Sequence, residues 1–195
     1  MTRVDVLVFD GVDDLDVVAP YEVLDLAKRR GAGISAVVVA LDGDGVTTQG
    51  GLRLGTTAKW APDSATVLLV PGGGYAARDG AGVHAELRSG ALPEALRAAV
   101  RPDLVFASVC TGAFLLAAAG LVSGRPCTTH HRAAADLERA GGRYRAERVV
   151  DDGDLVTSGG ITSGLDLGLH LVERFAGAEH ATSVAKALEY ERRTA

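Results

Sequence analysis

Cys110 lies in Ala107-Ser108-Val109-Cys110-Thr111-Gly112-Ala113, between a short apolar run and a run of strong helix formers. Residues 103–107 read as a buried strand. Residues 113–119, followed by Gly120, read as a helix with a glycine cap. A nucleophile at such a junction occupies a tight strand-to-helix turn and projects its reactive atom from the sheet edge. Gly112 removes a side chain where the helix must pass close to the strand. The unpaired N–H groups and partial positive charge at a helix start favour a thiolate over a thiol. The rival reading is a small cysteine buried in a core. Strand, turn, small residue and helix in register favour the nucleophile.

Three further segments could cooperate with it. Asp16 opens the first helix in Leu15-Asp16-Val17-Val18-Ala19-Pro20-Tyr21-Glu22. An N-cap explains a carboxylate there, yet its place beyond the first strand puts it on the same sheet edge as Cys110. A carboxyl facing a thiol in a partly desolvated pocket acquires a raised pKa and can shuttle a proton. Gly72-Gly73-Gly74 is either a flexible turn or, with the Cys110 turn, a source of backbone N–H groups for developing negative charge. It is not GxGxxG and no GxxxxGK occurs, so nucleotide binding is poorly supported.

Thr128-Thr129-His130-His131 supplies an imidazole twenty positions after the cysteine. His130 reads equally as a cap, a surface residue or a pocket residue. Adjacent histidines diverge on most backbones, and the five histidines (84, 130, 131, 170 and 180) form no HExxH, so no metal is expected. Cys127 reads as a small apolar packing residue. Ser158-Gly159-Gly160-Ile161-Thr162-Ser163-Gly164 carries helix-capping chemistry and is a candidate pocket wall.

The elements that must position these residues alternate along the chain. Strands are expected at residues 3–9, 34–41, 66–70 and 103–107, with a peripheral hairpin over 46–57. Helices are expected from near Asp16 to Gly31, with Pro20 in the first turn, and over 86–100 in two pieces around Pro93. A short strand at 126–129 precedes a helix at 131–140. A hairpin turns at Asp151-Asp152-Gly153-Asp154, and two last helices cover 162–175 and 179–190. The pattern implies an α/β three-layer sandwich, a mostly parallel twisted sheet with helices on both faces. In such sheets ligands gather outside the strand C-termini, where the first turn, residues 71–74, Cys110 and residues 128–131 all fall.

Bulk composition narrows the function. The chain has 195 residues, 47% hydrophobic, with net charge −5, which fits one domain over 1–195 with a sizeable core. The longest basic runs, Lys28-Arg29-Arg30 and Arg192-Arg193, are too short for a nucleic-acid face. Two cysteines without a CxxC fit a reducing compartment. The N-terminus runs into a strand with no signal-peptide pattern, and no apolar stretch is long enough to span a bilayer. A soluble cytoplasmic protein is expected.

Together these motifs resemble the ThiJ/PfpI superfamily, with its flavodoxin-like, class I glutamine-amidotransferase-like fold. The resemblance runs through Phe9-Asp10-Gly11, Leu15-Asp16, Ala19-Pro20-Tyr21-Glu22, Val70-Pro71-Gly72-Gly73, Val109–Ala113, Thr128-Thr129-His130 and residues 158–166. The Cys-Thr-Gly form with an early aspartate looks most like the isonitrile hydratase branch, which also resembles the ligand domain of AraC-type regulators. The resemblance implies Cys110 as nucleophile, Asp16 as acid/base partner and Thr111 in support. Backbone donors would come from Gly73, Cys110 and Thr111, and a substrate pocket from Gly72, Gly74, His130, Ile161 and Thr162.

Thr111 stands where PfpI-type proteases and glyoxalase-type enzymes commonly have histidine, and His131 stands where relatives tend to carry an aromatic residue. The implied reaction is hydration of an isonitrile to an N-substituted formamide. Cys110 attacks the terminal carbon while nitrogen is protonated to give a thioimidate, with no cofactor, and the protein is expected as a homodimer. The alternatives are another thiol enzyme (glyoxalase, deglycase or amidase type) and a non-catalytic ligand or redox sensor. For a DNA-binding regulator, the chain ending at Ala195 leaves no room for a DNA-binding region.

Overall fold

The computed structural model describes residues 1–56 and 58–193; Thr57, the last residue of the expected peripheral hairpin, lies outside them. In chain order the elements begin β1 (Thr2–Leu7), α1 (Asp14–Arg29), β2 (Ile34–Ala40), β3 (Val46–Thr47), β4 (Arg53–Leu54) and β5 (Ala58–Lys59). They continue with β6 (Val67–Val70), α2 (Val83–Ser89), α3 (Ala91–Ala98), β7 (Val105–Val109) and α4 (Ala113–Ala118). Next come β8 (Pro126–Cys127), α5 (Ala134–Arg139), β9 (Arg143–Tyr144), β10 (Val149–Asp151) and β11 (Leu155–Ser158). Two helices, α6 (Ser163–Ala176) and α7 (Ala178–Ala187), close the series.

Among the described residues a seven-stranded sheet runs β10-β11-β7-β6-β1-β2-β5. Every pairing in it is parallel except β10 with β11. The central strands are buried on both faces, which is why Val67-Leu68-Leu69-Val70 and Val105–Val109 carry no polar alternation. Helices α1, α6 and α7 pack on one another in one layer, and α2, α3 and α4 in the other. The three-layer α/β expectation therefore holds, as does the hairpin β3–β4.

The sheet order reverses between β1 and β6, which makes their C-terminal ends a crevice where α/β sheets bind ligands. The helix α1 is set beside it by close approach to α6. A Cβ on Gly164 would lie 2.9 Å from Pro20 Cδ, and one on Gly168 would lie 2.8 Å from Val23 Cβ. Only glycine lets the two helices meet at this distance.

Several boundaries depart from the sequence reading: β1 ends at Leu7, α2 starts at Val83, β7 covers Val105–Val109 in place of 103–107, and β8 is only Pro126–Cys127. Two departures have a clear cause. Helix α1 begins at Asp14, capped by Asp13, whose carboxylate accepts from Leu15 N at 3.1 Å and Asp16 N at 3.4 Å. Pro20 thus falls in the helix interior, not its first turn, and leaves the Asp16 carbonyl without its helical donor. The break in the 86–100 region comes at Gly90 (φ +73°) and not at Pro93, which sits in the first turn of α3, where a missing N–H is harmless. No helix among the described residues is long and apolar enough to cross a membrane.

Candidate active site

The strand β7 ends at Val109 and the chain turns at Cys110 into a 3₁₀ turn (Cys110–Gly112) and then α4. Cys110 has φ +54°, a left-handed conformation rare outside glycine. Both of its backbone groups are held: its N–H donates to Gly159 O at 3.0 Å, and its carbonyl accepts from Thr129 Oγ1 at 2.7 Å. Gly112 is required by space, because a Cβ there would strike the carbonyls of Val70 and Pro71 at the end of β6. The result is a strand–elbow–helix junction with the thiol at the sheet edge.

Asp16 reaches the same point from α1. Since Asp13 does the capping, the Asp16 side chain turns inward and is completely buried. Its Oδ2 accepts from Gly72 N at 3.0 Å. Its Oδ1 is buried with no hydrogen-bond partner among the described residues, and the Cys110 thiol lies close enough to act on the proton affinity of the carboxyl. Burial and the nearby Asp13 charge push the Asp16 pKa up to about 8, more than the bonds from Gly72 and Cys110 can offset. The two groups on which any thiol chemistry depends therefore meet.

The thiol differs from the expectation drawn from the helix start. Burial first, and then the charge of Asp16, push the Cys110 pKa up to about 12. The backbone N–H groups of Ile161 and Thr111 that donate to the sulfur pull the other way and are outweighed. The helix α4 has six residues and cannot by itself reverse that balance. At rest the sulfur is a thiol.

Above the pair lies a cleft of ≈ 290 Å³ lined by Cys110 and Thr111, by Gly73, Gly74 and Tyr75, and by His130 and Ile161, with Asp13, Gln49 and Arg132 among the other walls. Cys110 is 7% exposed, so an entering molecule can touch the sulfur. Gly74, His130 and Ile161 line the cleft as the pocket assignment has them. Gly72 and Thr162 do not: Gly72 lies beneath it, bonded to Asp16, and Thr162 faces a neighbouring cavity of ≈ 530 Å³ that also touches His130 and Ile161.

The three assigned backbone donors are all engaged within the protein. Gly73 N–H donates to Thr111 Oγ1 at 3.2 Å, Cys110 N–H to Gly159 O, and Thr111 N–H to the Cys110 sulfur. The partners of Gly73 and Cys110 come from residues distant in sequence, so strand-end glycines alone could not announce them.

His130 and His131 also behave otherwise than expected. Their rings stack, with centroids 4.4 Å apart. Burial and the neighbouring His131 and Arg132 lower the His130 pKa. His130 Nδ1 accepts from Arg132 N at 3.2 Å, so it caps the turn at His131–Ala133 while its ring edges the cleft. No cluster of three metal-ligating side chains occurs among the described residues.

Several residues were invisible to motif reasoning. Tyr75 stacks between His84 (4.6 Å) and Phe114 (4.7 Å) and anchors its hydroxyl on Asp136 Oδ2 at 2.8 Å. Gln49 arrives on the β3–β4 hairpin, its Oε1 accepting from Gly74 N at 2.8 Å. Ile161 has φ +45°, a real outlier for a β-branched residue, and that strain accompanies the N–H it offers to sulfur. An isoleucine between two glycines and Thr-Ser gives no local sign of such a backbone.

A doubly wound sheet with a cysteine elbow at its switch point and a buried carboxyl beside the thiol defines a thiol-bearing α/β protein of the glutamine-amidotransferase-like kind. The chain belongs to the DJ-1/PfpI family, whose model matches residues 2–174. It is 35% identical over 188 residues to the isonitrile hydratase of Pseudomonas putida, covering 94% of this chain and 76% of that protein. The crystal structure of Drosophila melanogaster DJ-1beta superposes with TM-score 0.82 at 25% identity, over 97% of this chain and 98% of that one. An AraC family transcriptional regulator from Pseudomonas putida shares the fold, with TM-score 0.78 at 23% identity over 96% and 100% of the two chains.

Proposed function

We propose that this chain is a cysteine-dependent hydro-lyase that hydrates an isonitrile to an N-substituted formamide. The observation that carries the reading is the Cys110 thiol beside a buried Asp16 carboxyl and lining a cleft of substrate size. The likeness to the Pseudomonas putida isonitrile hydratase supports it. Such a pair can add S–H across a carbon that is attacked by a nucleophile and then needs a proton.

In the ionised pair, Asp16 takes the thiol proton as sulfur bonds to the terminal carbon, and returns it to that same carbon. Balancing the atoms puts this first proton on carbon, giving R–N=CH–S–Cys110, and not on nitrogen. Asp16 then removes a proton from water as the water oxygen adds to the carbon, and nitrogen receives it. The species R–NH–CH(OH)–S–Cys110 collapses to R–NH–CHO, while the hydroxyl proton passes through Asp16 back to the departing sulfur. Every proton moves through one carboxyl.

The rival thiol reactions and the sensor reading are separated by one assay. Purified protein is mixed with an alkyl isonitrile, and formamide is followed by NMR beside lactate formed from methylglyoxal. Formamide from the wild type, and none from Cys110→Ala, is the expected result. Lactate without formamide, or oxidation of Cys110 with no turnover of either compound, overturns the proposal. We further expect a homodimer, which sedimentation equilibrium measures.

A further inference from the structure

The reaction places an oxygen on the substrate carbon, and a formamide oxygen needs a hydrogen-bond donor that the protein is not already using. Gly72, Gly73, Cys110 and Thr111 all spend their N–H groups inside the protein, on Asp16, Thr111 Oγ1, Gly159 O and the Cys110 sulfur. Gly74 N–H is taken by Gln49 Oε1. The Tyr75 hydroxyl is committed to Asp136. What lines the cleft with a free donor is therefore a side chain.

Two side chains are held in place for it: His130, whose Nδ1 accepts from Arg132 N so that the neutral ring carries its hydrogen on Nε2, and Gln49, the one tied directly to the Gly73–Gly74 wall beside Cys110. The Gln49 backbone N–H donates to Val12 O at 2.8 Å and its Oε1 accepts from Gly74 N. The hairpin that carries it is tied to the first turn of α1 by Asp14, which accepts from Thr48 Oγ1 at 2.5 Å and Gly50 N at 3.0 Å. Because Oε1 must be the acceptor for Gly74, the other end of the amide is the NH₂. Among the described residues no acceptor takes it. Arg132 also lines the cleft, but among the described residues no hydrogen bond or ion pair fixes its guanidinium. A donor held beforehand loses less on binding than one that must be immobilised.

We infer that the Gln49 side-chain NH₂ is the substrate-contacting donor for the oxygen of the tetrahedral adduct and of the formamide product. This makes the β3–β4 hairpin part of the catalytic site, and it rests on the hydratase reading. The Thr111 hydroxyl, which accepts from Gly73, keeps its own hydrogen as a second donor on the opposite wall.

The test uses Gln49→Met, which removes the donor, and Gln49→Glu, which removes it but keeps an oxygen for Gly74 N–H. Three quantities are read: kcat/KM for an alkyl isonitrile, the rate of Cys110 alkylation by iodoacetamide, and protection against that alkylation by the matching N-alkylformamide. In both variants kcat/KM is expected to fall roughly tenfold or more, with weakened formamide protection and with unprotected alkylation close to wild type. Retention of more than a tenth of kcat/KM in either variant overturns the assignment. So does alkylation that falls in step with hydration, because Gln49 would then be acting through the nucleophile. Should the wild type hydrate no isonitrile, the function proposed above falls, and formamide protection alone decides the role of Gln49.

Discussion

Asp16 governs the pH behaviour of the site because its proton is shared between two tasks. Held up to about 8, it is protonated at neutral pH, and the form that can accept the thiol proton appears only as pH rises through that value. Hydration measured from pH 6 to 9.5 is therefore expected to rise with an apparent pKa near 8. Asp16→Asn is expected to lose both the rise and most of the rate. The same group makes a statement about folding. Its folded pKa lies above its unfolded one, so its contribution to stability is full below about pH 4 and is lost as pH climbs toward 8, at most about 1.4 kcal/mol per pH unit. Urea unfolding at pH 5 and pH 8 is expected to show Asp16→Asn gaining on the wild type, with the larger gain at pH 8. Thr111 acts more modestly. Its Oγ1 is the acceptor for the buried Gly73 N–H, and Thr111→Val is expected to cost about 1–3 kcal/mol in the same unfolding assay.

At the scale of elements, the junction β7–α4 depends on a contact that no substitution at Cys110 would reveal. Gly112 has φ −57°, a conformation open to any residue, so the demand for glycine there is purely one of space. Gly112→Ala is expected to push the elbow off the carbonyls of Val70 and Pro71, at a cost of roughly 1–3 kcal/mol. The iodoacetamide rate at Cys110 should change with it. A variant with unchanged alkylation and stability would show that the close approach is not what sets the turn.

The strands around this junction were legible in the sequence because the apolar runs at 66–70 and 103–107 suit strands buried in a parallel sheet, although β7 lies two residues further on, at Val105–Val109. The elbow was legible because strand, cysteine, small residue and helix follow each other directly. Other features were hidden. Asp13 took the cap that the sequence reading had offered to Asp16, which instead turns inward to Gly72 N. The stacking of His130 on His131 follows from the extended backbone at His130 and its cap on Arg132, neither of which leaves a periodic trace. The engagement of the Gly73 and Cys110 N–H groups depended on chain segments tens of residues away.

Across the whole molecule, the region following β11 is clamped by a buried ion pair. Asp166 is fully buried and receives Arg148 at 2.6 Å, the Tyr190 hydroxyl at 2.9 Å and Arg193 N at 2.9 Å. Arg148 in turn donates to Thr162 Oγ1 at 3.3 Å, next to the strained Ile161. A single carboxylate thus ties α6, the segment before β10 and the chain beyond α7 to the loop that offers an N–H to the sulfur. Asp166→Ala strands the Arg148 guanidinium in a mostly buried setting and is expected to cost about 3–5 kcal/mol. Thermal unfolding reads that loss directly, and a melting temperature equal to wild type would mean that the ion pair adds nothing net.

The left-handed backbone at Cys110 has a consequence for the lineage to which this chain belongs. A side chain in that conformation carries strain of the order of 1–3 kcal/mol, which glycine would release. Natural selection for robustness alone would erase the cysteine. Its persistence in a population would record continued use, and a homologue bearing glycine at this turn would mark a branch that has abandoned the chemistry and kept the scaffold.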